Sequence, residues 1–95
     1  MSLIDLHETA HIVDGDVRFL TIDRVGNKFV VQVTREAVAD LTPGGPFSLE
    51  KFNHHREHFR AIAGDKFHRG RVDPGPPGAL PRIIVRSSDV VAGQA

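Results

Sequence analysis

Two stretches near the start of the chain set the first pattern. Val17-Arg-Phe-Leu-Thr-Ile-Asp23 and Lys28-Phe-Val-Val-Gln-Val-Thr34 are rich in β-branched and other large apolar residues, a composition that fits a pleated, half-buried surface. Gly26-Asn27 between them predicts a two-residue hairpin turn, because glycine takes positive φ without steric cost. With Val25 opposite Lys28, Ile22 faces Val31 and Leu20 faces Val33. Leu20, Ile22, Phe29, Val31 and Val33 then form the apolar face. Val17, Phe19, Thr21, Val30, Gln32 and Thr34 lie on the other face, which is itself half apolar.

After Thr34 the period changes to that of a helix. Thr34 can cap a short helix from Arg35 to Leu41 with Ala37, Val38 and Leu41 on one side, and Thr42-Pro-Gly-Gly-Pro46 ends it. Ser48 is the N-cap of a second, longer helix, with Phe47 and Phe52 spaced as a hydrophobic staple. Leu49, Phe52, Phe59, Ile62, Ala63 and Phe67 recur at helical spacing as one stripe. Glu50 suits the positive end of that helix and Lys66, His68 and Arg69 the negative end. Gly70 can terminate it. Gly64 inside it costs about 1 kcal/mol against alanine and is a point where it can break. Asp73-Pro-Gly-Pro-Pro-Gly-Ala-Leu-Pro81 is a loop, and Arg82-Ile-Ile-Val-Arg86 a last strand.

The expected fold is therefore α+β, in the order β-β-α-α-β: a small antiparallel sheet, made of the hairpin and the C-terminal strand, covered on one face by a long helix. Residues 1–15 form an N-terminal arm, either loose or a short extra strand; residues 16–89 are a single domain, and residues 90–95 a flexible tail.

Composition narrows the chemistry more than it defines it. The 95 residues allow one core, with six Phe and neither Trp nor Tyr to fill it. Lys plus Arg and Asp plus Glu balance at 12 each, so no global field draws in nucleic acid or an acidic membrane. Without cysteine there is no disulfide, thiolate metal site or thiol nucleophile. No apolar run is long enough to span a bilayer, and the first residues lack the pattern of a secretory signal. The expectation is a soluble cytoplasmic protein.

Several of these residues fall into a family pattern: Val17-x-Phe19, Val31-x-Val33-Thr34-Arg35-Glu36-Ala37-Val38, Phe52-x-x-x-Arg56-x-x-Phe59-x-x-Ile62-Ala63, Lys66-Phe67-x-x-Gly70 and Ile83-Ile84-Val85. From about Val17 to about Asp89 the chain resembles a family of short bacterial proteins classed as domain of unknown function fourteen-eighty-eight. The resemblance implies a stand-alone α+β domain with no assigned activity. It departs from the pattern in a longer loop after Asp73, in Gly64 where a small helix former is commoner, and in Val31 where many members have cysteine. No thiol role carries over.

The candidate site residues follow from position. Arg56 falls beside the Phe52–Phe59 stripe, near the sheet, where a charge needs a partner. It can form a structural ion pair with an acid such as Asp23 or Glu36, or, with Lys66 nearby, hold the carboxylate or phosphate of a ligand. His54 and His58 are one turn apart, with Glu50 and Asp65 near the same line, and this set has the donors for zinc or nickel. The helical wheel, however, places both histidines opposite the Phe stripe, where a solvated polar face explains them, and no metal or other cofactor is expected. Lys66, His68, Arg69 and Arg71 could meet a phosphate backbone. They lack interleaved stacking aromatics, so nucleic acid is not expected either. No serine–histidine arrangement, carboxylate pair or phosphate-cradling glycine loop stands out, so no catalytic residue is assigned. Phe19, Val30 and Ile84 are expected to point away from the helix, as an apolar contact surface covered by residues 3–13 or by a second copy.

The leading expectation is a non-catalytic binding or accessory module that self-associates through this face or an edge strand. The alternatives are an anion-binding or enzymatic domain using Arg56 and Lys66, and a weak metal or nucleic-acid binder.

Overall fold

The protein was analysed as a computed structural model describing residues 3–41 and 48–94. It is an α+β fold on a mixed five-stranded sheet, β1 Ile4–Asp5, β2 His11–Val13, β3 Asp16–Ile22, β4 Lys28–Val33 and β5 Arg82–Val85. The helices are α1 Arg35–Leu41, α2 Leu49–His54, α3 Arg56–His68 and α4 Ser87–Gln94. No helix among the described residues is long and apolar enough to cross a membrane.

The hairpin of β3 and β4 forms, but its register differs from the one the Gly26-Asn27 turn predicts. Ile22 pairs with Lys28, Leu20 with Val30 and Phe19 with Val31. Asp23 fixes this longer turn. Its carboxylate accepts hydrogen bonds from the backbone N–H of Val25 (3.0 Å) and Asn27 (2.8 Å), and its carbonyl from Gly26 N–H (3.3 Å). Asp23 N–H in turn donates to the Asn27 carbonyl (2.9 Å), which leaves a three-residue loop closed by Gly26 at φ 93°. The shift relative to the predicted pairing is odd, and side chains alternate with period two, so β3 turns over while β4 does not. Phe29, Val31 and Val33 face the core as predicted; from β3 it is Val17, Phe19 and Thr21 that join them, not Leu20 and Ile22. Phe19, expected on the outer contact surface, is 2% exposed in the core.

The arm belongs to the sheet. Asp14 and Gly15 take φ 53° and 87°, a left-handed pair suited to the two-residue turn between β2 and β3. β1 and β2 both pair antiparallel with β3, and Leu3 and Ala10 enter the core. The arm extends the sheet at the β3 edge.

β5 runs parallel to β4, so the sheet is mixed and not purely antiparallel. Residues 34–81 make the crossover, whose helices return the chain to the starting end of β4. Thr34 caps α1 through Ala37 N–H (3.2 Å) and Ser48 caps α2 through Lys51 N–H (3.2 Å). Thr42–Pro46 and the proposed staple partner Phe47 lie outside the described residues. The long helix is divided at His55, φ −118° and ψ 13°, after Asn53 and His54, which are weak helix formers; Gly64 continues inside α3. Gly70, at φ 75°, closes α3 as predicted, with its N–H on the Phe67 carbonyl (3.0 Å) and Arg71 N–H on the Lys66 carbonyl (2.9 Å).

Phe52 and Phe59 stack at 5.6 Å, and Phe19 lies 5.5 Å from Phe52. The segment expected as a tail is part of α4, whose Val90 is fully buried and joins Ala37 and Val38 of α1 in the same core. All four helices thus contribute to one core, on one face of the sheet.

Candidate functional site

Both cations proposed for ligand binding have internal partners. Asp5 lies on the inner face of β1, opposite Thr21, and α3 sets Arg56 against it. Arg56 Nε and Nη2 donate to the two carboxylate oxygens at 2.6 and 2.9 Å, and Nη2 donates also to the Glu8 carbonyl at 2.7 Å. Its guanidinium carbon lies 4.9 Å from the centre of the Phe19 ring. Burial alone would raise the Asp5 pKa, but the Arg56 hydrogen bonds, the His7 N–H and the neighbouring positive charge outweigh it and hold the carboxyl below its usual value. Arg56 is therefore a clasp between α3 and the arm. Its partner is neither Asp23 nor Glu36 but Asp5, so the guanidinium is engaged within the fold. Arg60 reinforces the clasp, donating to the Leu3 carbonyl at 2.8 Å.

Lys66 pairs with Asp89 of α4 at 2.8 Å. Asp89 also accepts the Arg86 N–H at 2.8 Å, so it both caps α4 and ties that helix to α3. Burial raises the Asp89 pKa, but the Lys66 and Arg86 contacts lower it by more. Within the basic cluster, Arg69 meets Asp65 at 3.2 Å, so part of its charge is already neutralised. His54 and His58 are exposed on the helices. Among the described residues no three His, Asp or Glu side chains come together in a way that could hold a metal ion.

The outer sheet face is different. Leu20 and Ile22 of β3, Val30 of β4 and Ile84 of β5 point away from the core and are half-buried, and Ile4 of β1, opposite Ile22, is 54% exposed. Val30 and Ile84 are thus on the expected face; Leu20 and Ile22 replace Phe19. Between the apolar side chains stand Arg18, Gln32 and Arg82. Arg18 Nε, Gln32 Oε1 and Arg82 Nε are buried without a hydrogen-bond partner among the described residues. Gln32 does donate to Asp16 at 2.8 Å, and Arg82 reaches Asp73 only at 4.0 Å. Near β2 the face sinks into an open depression of about 570 Å³.

Sequence reasoning missed Asp5 and Asp89 as partners, and Arg18, Leu20, Ile22 and Arg82 on the outer face. The spacing of Asp23 and Gly26, which marks a β-turn with glycine at its last position, was the available signal for the outer-face residues of β3. No protein-family model, curated protein or solved structure matches the chain.

Proposed function

We propose that the protein is a non-catalytic binding module of the cytoplasm that works through the outer face of its sheet, with a second copy of itself as the first expected partner. The observation that supports this is the composition of that face. Its apolar centre of Leu20, Ile22, Val30 and Ile84 is left without a helix among the described residues, and the buried unpartnered side-chain polar atoms lie on the same face. A surface of this kind gains from being covered.

The test is the mass of the full chain by light scattering across a wide concentration range. The expected result is a concentration-dependent dimer that Ile22→Glu with Ile84→Glu converts to a monomer, without change in the far-ultraviolet circular dichroism. A native chain that stays monomeric at the highest concentration rejects self-association.

A further inference from the structure

We propose that the depression on the outer face binds a small amphiphile, an apolar chain ending in a single carboxylate. Its floor is Leu20 and Val30, which are Cα partners on β3 and β4. Its volume of about 570 Å³ is within the range of pockets that take small organic ligands. The apolar floor suits a hydrocarbon chain, and the polar end is set by the strand pairing at one side.

That pairing places His11 of β2 directly opposite Arg18 of β3. Both line the depression. Neither makes a hydrogen bond or ion pair through its side chain among the described residues, and Arg18 Nε is buried without an acceptor. Two nitrogen-bearing donors side by side on a strand pair, one a fixed cation, are better accommodated with an anion between them than alone. A carboxylate accepts from both a guanidinium and an imidazole.

Glu8 decides between anions. It lies on the wall of the depression, yet its carboxylate makes no ion pair with Arg18 or His11. Its carbonyl is held by Arg56 at 2.7 Å, so the wall stays in place. Glu8 is an exposed acid lining the same depression, and its negative charge disfavours a dianionic phosphate more than a monoanionic carboxylate. The Arg56 clasp thereby positions one wall of the site without touching the ligand.

The inference rests on the outer face being the working surface, and the two are separable in one experiment. The probe is sodium decanoate below its micelle concentration, titrated into the full chain while the backbone amide signals of β2, β3 and β4 are followed by nuclear magnetic resonance. Saturable shifts centred on Arg18, Leu20 and Val30 are expected, with decanol binding at least tenfold more weakly. Arg18→Gln should weaken decanoate at least tenfold. Val13→Glu, on the half-buried wall, should do the same and serves if the first variant does not fold. Because Leu20 and Val30 belong to both surfaces, decanoate and a second copy compete; in samples dilute enough for the native chain to be monomeric, the pair Ile22→Glu and Ile84→Glu, whose residues do not line the depression, should leave decanoate affinity unchanged. Absence of saturable shifts overturns the proposal, as does equal affinity for decanoate and decanol or for native chain and Arg18→Gln. Tighter binding of decyl phosphate than decanoate overturns the choice of head group.

Discussion

Asp5 and Arg56 are 51 positions apart, and a separation of that length leaves no trace in local periodicity. The sequence shows that Arg56 sits beside a Phe stripe and must find a partner; which acid it finds depends on where β1 docks, and that depends on the register of β3. With side chains 4% and 16% exposed, the pair is well shielded, and removing one member leaves the other short of a partner. Asp5→Asn is expected to cost on the order of 2–4 kcal/mol, below the figure for a fully buried pair because Arg56 keeps some contact with water. The acid limb of stability has a definite sign. The folded pKa of Asp5 lies below its ordinary value of 3.8, so its contribution is complete above that value and is lost as pH falls through and below it. Asp89 acts in the same direction. Thermal unfolding followed from pH 6 down to about pH 3 should show a steeper decline for the native chain than for Asp5→Asn.

At the scale of elements, the sequence showed the strands β3 and β4, the α1 and α2 caps, the Phe stripe and the Gly70 stop, because each is written in neighbouring residues. Gly26-Asn27 alone specifies a two-residue turn, whereas the three-residue turn depends on Asp23 bonding to its own loop. That difference in the turn puts Phe19 in the core and Arg18 and Leu20 on the outer face. Gly26→Ala places a Cβ at φ 93° in otherwise open space, so the loss should be conformational only, about 1–2 kcal/mol by chemical denaturation. Gly64 gives the opposite outcome. A Cβ there would meet Arg60 Nη1 at 3.7 Å and the Leu3 nitrogen at 3.9 Å, both ordinary contacts. Gly64→Ala should therefore stabilise the protein by about 0.5–1 kcal/mol, seen as a raised denaturation midpoint. α4 was missed because its segment, Ser87-Ser-Asp-Val-Val-Ala-Gly-Gln94, is short and only weakly patterned. Its place is decided by Val90 reaching α1 and by Lys66 reaching Asp89. Val90→Ala should cost about 2 kcal/mol in the same measurement.

For the whole molecule, one face of the sheet is closed by four helices and the other carries the candidate contact surface. This asymmetry was legible as a two-layer fold, but the parallel placement of β5 was not, since direction depends on how a crossover of residues 34–81 returns. The clasp has a further consequence during synthesis. Chains are made amino end first, so Asp5 and Leu3 are synthesised 51 and 57 residues before the arginines that hold them, Arg56 and Arg60. A nascent chain arrested after β4 has the arm's strand partner β3 in hand but not the side chains that clasp the arm, and Phe19 and Phe29 lie uncovered on its surface until α2 and α3 follow. Protease accessibility of the arm in stalled ribosome complexes should therefore drop in one step, when the chain has grown far enough to free Arg60, and not gradually as β3 and β4 appear.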